Sequence, residues 1–330
     1  MFSYRSILKQ AWNIAWGHKY LWLFGLFASI AIASGSFEHQ MLITNFQSGA
    51  LEGSYYHLSI IVTVLQALGM FLIGLVRLFS YDFITIINTL TVLIITLAII
   101  IAFIWLAVSS QGALVASAKK LITAKKKPSI LSLRENLTEG HNHFWPILWL
   151  NVLVKVLIVM LLAIVSLPLV SLAAKSADLL VALYTIAFIV FIPLAVGLSL
   201  MIKYAIAYIV LDKEDISSAL GKSWQLLTKN WLISLEMGLI LFLISFVVGF
   251  ILIFLLSALV FPYFVFAANY GIGWLIVLLA FLALTLILFA SALLATFQIS
   301  AWTSLFLELK GGRGEAKLER MFKQKKTSKR

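Results

Sequence analysis

Two ionisable side chains lie inside long apolar stretches of this sequence, where a charge is a candidate for binding or catalysis. Lys155 follows Pro146 within one stretch, and Glu236 follows Trp231 within another. A charge at the centre of a bilayer costs about 2.5 to 3.5 kcal/mol, and an ion pair would offset much of that cost. Lys155 and Glu236 are therefore predicted to form a structural clasp or an intramembrane polar site. Alternatively, Glu236 lies at the interface and Lys155 extends its ammonium to it.

Two prolines lie inside the same kind of apolar stretch. Pro168 and Pro193 each remove a backbone hydrogen bond and bend any helix that contains them. Broken membrane helices hold the binding sites of many transporters. The sequence predicts helix breaks at both prolines. Such a break either forms part of a binding site or is a kink that helix packing accommodates.

The motifs of common enzymes are missing. The chain has no cysteine, which excludes thiolate nucleophiles and sulfur-ligated metal sites. It has no glycine-rich phosphate loop, nucleophile elbow or metalloprotease signature. His141 and His143 would lie on different faces of a helix, so they are not placed to bind one metal ion together. We expect no cofactor, no metal and no catalytic residue, and a non-enzymatic protein; a membrane-embedded lipid-modifying enzyme is an alternative.

The elements that position these residues must be membrane helices. Of 330 residues, 62% are apolar and 12% are charged, against about 25% charged in a soluble domain. One core cannot bury so much apolar surface, so most of it faces lipid. We expect an all-α polytopic transmembrane bundle of about six spans, without a cleavable signal peptide. The predicted spans are 20–36, 83–108, 146–174, 179–211, 232–262 and 272–303.

The net charge of +12 is mainly a topology signal. The Lys and Arg residues fall in four clusters, except for Arg77, Lys155, Lys175 and Lys203. The positive-inside rule places all four clusters in the cytoplasm. We expect a protein of the cytoplasmic (inner) membrane with both termini in the cytoplasm, and no nucleic-acid partner. The apolar stretch 58–79 is then interfacial or re-entrant, with a third span as the alternative.

A short motif recurs three times, each time directly before an apolar stretch. The copies are Ala11-Trp12 with His18, Ser223-Trp224 with Asn230, and a weaker copy within 133–145. The repeat predicts three units, each an amphipathic helix followed by a two-span hairpin. The units cover about 1–120, 121–212 and 213–310 of one transmembrane domain, 1–310, which a basic cytoplasmic tail, 311–330, follows.

The first and third copies have apolar residues at helical spacing and basic residues opposite. The apolar stripes are Tyr4, Leu8, Ala11, Trp12 and Ala15, and Ile216, Leu220, Trp224 and Leu227. Such helices suit a headgroup layer. We expect membrane lipids with anionic headgroups as partners, and these interfacial anchors: Trp12, Trp16, Trp224 and Trp231. The alternative is a helix packed on the base of the bundle.

Small and polar residues end the second span of each unit, at 109–113, 203–208 and 298–302. Small residues permit close helix approach, and hydroxyls and amides bond across helices. These stretches are predicted to be the packing seams of the bundle.

The repeated motif and the turn Asp212-Lys213-Glu214-Asp215 that leads into its third copy carry a family resemblance. The chain resembles a group of bacterial and archaeal multi-pass membrane proteins and the membrane domain that precedes some glycerophosphodiester phosphodiesterases. Those enzymes carry their chemistry in a separate soluble barrel, so the resemblance implies no phosphodiesterase activity here. The expected role is lipid interaction in membrane organisation or homeostasis, and the alternative is a carrier for a small or amphipathic solute.

The predicted topology is testable with reporter fusions. Fusions after Lys127 and after Lys229 should both report the cytoplasm, because each follows a positive cluster. Paired alkaline phosphatase and fluorescent-protein activities provide the measurement. A far-side signal at either position contradicts the six-span topology.

Overall fold

The computed structural model describes residues 3–30, 65–74, 82–124, 133–173 and 177–312, with backbone alone for 133, 159, 161–188 and 191–192. These ranges are helical, with short turns between helices and no strand among them. The predicted all-α class is confirmed at this level. The predicted tail beyond Gly312 lies outside the described residues.

The helices are numbered here in chain order. Their bounds are α1 Tyr4–Gly17, α2 Leu21–Ile30, α3 Leu65–Gly74, α4 Phe83–Thr123, α5 Leu133–Asn142, α6 Phe144–Ala173, α7 Ala177–Asp212, α8 Ile216–Lys229, α9 Trp231–Leu255, α10 Phe261–Asn269 and α11 Gly273–Lys310. A π-helical turn, Leu256–Val260, joins α9 to α10.

Within the described ranges, four helices are long and apolar enough to cross a membrane: Phe83–Thr123, Pro193–Asp212, Trp231–Asn269 and Gly273–Lys310. Large apolar side chains on them are exposed, among them Ile94, Phe250 and Phe281. Such a surface is stable against lipid and not against water. The chain is therefore a membrane protein. Of the stretch 58–79, residues 65–74 form α3 and the rest lies outside the described residues.

The chain divides into two compact units. Unit 1 takes in the described parts of Met1–Ile32, Leu106–Leu148 and Leu200–Arg330, and unit 2 those of Ala33–Trp105 and Trp149–Ser199. In unit 2, Asp82 caps the start of α4, where its carboxylate accepts from the Thr85 amide at 3.1 Å and the Thr85 hydroxyl at 2.7 Å. These bonds favour the charged form and hold the pKa of Asp82 below its ordinary value.

The core of unit 1 lies where the C-terminal parts of three long helices are buried. Residues 107–118 of α4, 204–210 of α7 and 300–306 of α11 are buried. The predicted seam 109–113 is buried throughout. The seam 203–208 is buried except for the exposed Lys203, and in the seam 298–302 residues 300–302 are buried while Gln298 and Ile299 are half-buried. Ile14, Phe24 and Leu114 form one apolar cluster, which joins α1 and α2 to α4.

Helix α1 packs on α11, and its buried face differs from the predicted stripe. Tyr4, Ala11 and Ala15 of the predicted stripe are buried together with Ile7 and Ile14, whereas Trp12 is 48% exposed. The small Ala11 side chain permits close approach to α11, while the indole of Trp12 is too large for that interface and lies at its rim. The contacting face is thus rotated away from the tryptophan.

Helix α8 repeats this arrangement. Ala219, Ser223 and Leu227 are buried, and Trp224 is 55% exposed. A small residue again precedes an outward tryptophan. On both helices the face with small residues is packed against the protein, and the indole ring is exposed.

Two glycines bring helix backbones into direct contact within unit 1. A methyl group on Gly140 of α5 would overlap the Ser109 carbonyl oxygen of α4. A methyl group on Gly25 of α2 would overlap the Ala292 carbonyl oxygen of α11. Because the obstructing atoms are backbone, the helices would have to separate.

Pro262 accounts for the π-helical turn between α9 and α10. It lies in the first turn of α10, where its missing amide leaves an earlier carbonyl of the turn without a donor. Widening the helix by one residue over Leu256–Val260 accommodates that loss.

The backbone contact at Gly140 gives a stability prediction. Gly140→Ala should destabilise the protein by about 1 to 3 kcal/mol through overpacking. Gly221 on α8 has open space around its Cα, so Gly221→Ala should stabilise by about 0.8 to 1 kcal/mol through helix propensity. Thermal unfolding in detergent measures both, and equal effects of the two substitutions would contradict the contact.

Candidate functional site

Glu236 is held by the N-terminal helix. The Tyr4 hydroxyl of α1 donates a hydrogen bond to the Glu236 carboxylate of α9. Tyr4 is 8% exposed, so the bond lies at the buried edge of α1. It ties α1 to α9 across most of the sequence, and Tyr4 was not predicted as a partner.

Lys155 lies on α6 and is half-buried. It belongs to unit 2, whereas Glu236 belongs to unit 1. The predicted pairing of these two residues stays a prediction.

The two prolines lie within helices. The backbone of α6 is helical through Pro168, and that of α7 through Pro193. A binding role for either residue stays a prediction.

A buried hydroxyl pair joins α7 to α9. Tyr204 and Ser234 share a hydrogen bond of 2.7 Å, and the Ser234 hydroxyl also donates to the Asn230 carbonyl at 2.9 Å. Tyr204 is 1% exposed, so bulk water cannot replace Ser234 as the hydrogen-bond partner of its hydroxyl. The Tyr204 ring also meets the Trp302 ring edge-on, with centroids 5.8 Å apart, which joins α7 to α11.

Lys203 lies beside this pair. Its ammonium is 4.6 Å from the centroid of the Trp302 ring, a cation–π contact. Trp302 is 7% exposed, and the Lys203 side chain is exposed.

Two lysines hold the C-terminal ends of the long helices together, one through a backbone carbonyl and one through an ion pair. The Lys119 ammonium donates to the Leu211 carbonyl at the end of α7 at 3.1 Å, where a cation suits the helix dipole. Lys310, the last residue of α11, pairs with Asp212, the last residue of α7, at 2.6 Å. Both pairs place charge at the same end of unit 1.

The turn between α7 and α8 carries a second ionic contact. The Lys222 ammonium donates to Glu214, and the Ser218 hydroxyl donates to the same carboxylate at 2.6 Å. The bond from Lys222, and then that from Ser218, holds the pKa of Glu214 below its ordinary value. The bond to Glu214 raises the pKa of Lys222. Asp215 begins α8 by accepting from the Ser218 amide at 3.4 Å.

Three short helices of unit 1 end in the same way. The side chain of the terminal residue contacts the carbonyl oxygen four residues earlier: His18 with Ile14 at 3.3 Å, His143 with Glu139 at 3.0 Å, and Asn230 with Leu226 at 3.0 Å. His18 and Asn230 are the residues that the sequence motif singles out.

Several buried polar side chains of unit 1 have no hydrogen-bond partner among the described residues. They are the hydroxyls of Tyr20, Ser109, Ser110, Ser117 and Ser304 and both amide atoms of Asn136. Buried groups of this kind are commonly satisfied by ordered water.

In the described part of the chain, no group of three or more His, Asp or Glu side chains is placed to hold a metal ion. No family model, curated protein or solved structure matches the chain. The predicted family resemblance therefore stays a prediction.

The Glu214 and Lys222 contact gives a pH prediction. A lowered pKa means that the Glu214 contribution to stability is complete above its ordinary value of 4.5 and is lost as the pH falls through the folded value. The raised pKa of Lys222 gives a contribution that is complete below 10.5 and is lost as the pH rises through the folded value. Glu214→Gln should flatten the acid side of the profile of melting temperature against pH.

Lys222→Gln and the double variant complete a double-mutant cycle for this measurement. The two single variants should lose the same coupling, and the double variant should lose nothing more from the pair. If the melting temperature of Glu214→Gln falls with acidification as steeply as that of the wild type, the contact does not contribute to stability in the way predicted.

Proposed function

We propose that this chain is a non-enzymatic protein of the cytoplasmic membrane whose short helices α1 and α8 bind anionic lipid headgroups. Its role would be in membrane organisation or homeostasis. The observation that carries the proposal is the outward placement of tryptophan on both helices. Trp12 and Trp16 of α1 and Trp224 of α8 are 48%, 49% and 55% exposed, and Trp231, which begins α9 just after α8, is 59% exposed. The opposite faces of α1 and α8 are packed.

The aromatic surface of α1 supports contact with a membrane interface. Trp12 and Trp16 stack with centroids 5.6 Å apart, and Trp16 lies 5.7 Å from Trp22. Indoles concentrate at membrane interfaces because the ring is apolar and its N–H is polar. A continuous tryptophan surface of this kind is an interfacial anchor.

Exposed cations accompany the tryptophans. Arg5 and Lys9 on α1 and Lys229 at the end of α8 are exposed. Each basic residue near an anionic leaflet contributes about 1 kcal/mol of binding. On α1 the spacing of Arg5 and Lys9 puts them on the same face as Trp12 and Trp16. Tryptophan and cations together on this exposed face favour anionic lipid over neutral lipid.

The proposal includes a cytoplasmic location for the charged end of unit 1. Lys119, Asp212, Lys222 and Lys310 all lie at or beyond the C-terminal ends of the long helices. An excess of lysine at one end is typical of the cytoplasmic side.

The proposal also includes three repeated units and about six spans. Two kinds of observation favour the repeat: the shared helix ends at His18, His143 and Asn230, and a cyclic order of contacts. The first repeat packs on α11 at Gly25 of α2, and the second packs on α4 at Gly140 of α5. The third packs on α7 through Ser234 of α9. Each sequence repeat then begins against the last helix of another repeat. This arrangement suits a pseudo-threefold axis along the membrane normal.

The lipid-binding proposal is testable by tryptophan fluorescence in proteoliposomes. Phosphatidylglycerol brominated near the headgroup should quench the protein more strongly than equally brominated phosphatidylcholine. A variant with Phe at 12, 16, 224 and 231 should lose most of that difference. Lys9→Gln with Lys229→Gln should reduce the local enrichment of phosphatidylglycerol about fivefold per residue.

Lys120→Gln is the matched control, because Lys120 is paired with Glu139 at 3.2 Å. It removes the same charge from a residue that already has a carboxylate partner, so its effect should be smaller. Equal quenching by the two brominated lipids would overturn the proposal.

A further inference from the structure

Lys203 is a charge at depth in the apolar helix Pro193–Asp212. It lies about nine residues before Asp212, or about 14 Å along the helix axis at about 1.5 Å per residue. Side chains on a helix lean toward its N-terminus, which for α7 is away from the charged end. Lys203 is therefore poorly placed to reach the ionic contacts at Asp212.

The surroundings of Lys203 form a recess. Leu200, Tyr204 and Ala207, one turn before, directly after and one turn after it, are buried, whereas Lys203 itself is exposed. Its ammonium lies 4.6 Å from the centroid of the Trp302 ring, which is itself only 7% exposed. Lys203 is thus an accessible cation set among buried residues of α7 and α11.

Three helices of unit 1 bound this recess. The Trp302 ring of α11 lies under the ammonium. Gly238 of α9 is close to both other helices, since a methyl group there would lie 3.5 Å from Leu200 and 4.0 Å from Trp302. A side chain larger than glycine at 238 would narrow the recess.

The recess has donors and lacks a matching acceptor. Among the described residues the ion pairs are Lys120 with Glu139, Lys222 with Glu214 and Lys310 with Asp212, and none involves Lys203. Within the same ranges the Trp302 indole N–H also has no hydrogen-bond acceptor. A cation–π contact is weaker than the cost of an ammonium in hydrocarbon, so Lys203 needs an anion to complete its site.

We propose that this recess binds one anionic phospholipid, whose phosphate accepts from the Lys203 ammonium and the Trp302 indole N–H. A phospholipid suits this depth because it brings an anion together with apolar chains that cover the exposed helix surfaces. The headgroup is held below its normal layer. The inference rests on the proposed membrane placement and not on lipid binding by α1 and α8.

The test is lipid binding to the full chain in a neutral detergent, measured by native mass spectrometry. Phosphatidylglycerol, phosphatidylcholine and oleate are the probes. The wild type should retain one phosphatidylglycerol per chain, and Lys203→Met should raise its Kd tenfold or more. Lys203→Arg should stay within about threefold of the wild type because it keeps the charge.

Lys120→Met is the control for loss of a lysine and should leave the retained lipid unchanged. Trp302→Phe keeps the aromatic face and removes the N–H, so it should weaken binding while leaving the stoichiometry at one. This variant and the wild-type stoichiometry keep the test decisive if Lys203→Met fails to fold.

Three results would overturn the site: no stoichiometric lipid on the wild type, equal retention by Lys203→Met, or equal affinity for oleate or phosphatidylcholine. Failure of the interfacial proposal is distinguishable. It would remove the effect of Lys9→Gln and Lys229→Gln on quenching and leave the lipid at Lys203 in place.

Discussion

Backbone-to-backbone contact between helices is the constraint on which unit 1 depends. Lipid tails are as apolar as leucine, so burial of apolar side chains gives membrane helices little reason to associate. Close approach and interhelical hydrogen bonds must hold them. At Gly25 the absence of a side chain brings α2 against the Ala292 carbonyl, and the Thr296 hydroxyl then reaches the Leu21 carbonyl at 3.3 Å. Gly140 does the same for α5 on α4.

Close contact of this kind explains why polarity is concentrated in one part of the long helices. Serine, threonine and alanine line the packed C-terminal part of α11, whereas exposed residues such as Phe281 lie nearer its N-terminus. Small residues permit approach, and approach makes hydroxyl bonds possible. The hydrogen bond of Lys119 to the Leu211 carbonyl and the ion pair of Lys310 with Asp212 then join the helices at the same end.

Composition and periodicity were sufficient to predict a helical membrane protein, because both report on the solvent that a helix face meets. The seams were predictable for the same reason, since small and polar residues interrupt apolar stretches at 109–113, 203–208 and 298–302, although Lys203 within the second is exposed. The buried face of α1 was not predictable from hydropathy, because tryptophan is apolar yet excluded by size. The bond between Tyr4 and Glu236 joins residues 232 positions apart, and no local pattern encodes it. Lys203 could be singled out as a charge outside the clusters, but its Trp302 partner depends on the packing of α7 on α11.

The π-helical turn at Leu256–Val260 has a consequence for how the chain after it is interpreted. One extra residue in a helix rotates everything that follows by about 100° relative to an uninterrupted 3.6-residue repeat. A helical wheel drawn straight through α9 and α10 would therefore assign Tyr263 and Phe266 to the wrong sides. Positions beyond Val260 that are chosen for spin labels or crosslinking cysteines are assigned to the correct helix face only when the wheel is started again after the π-helical turn.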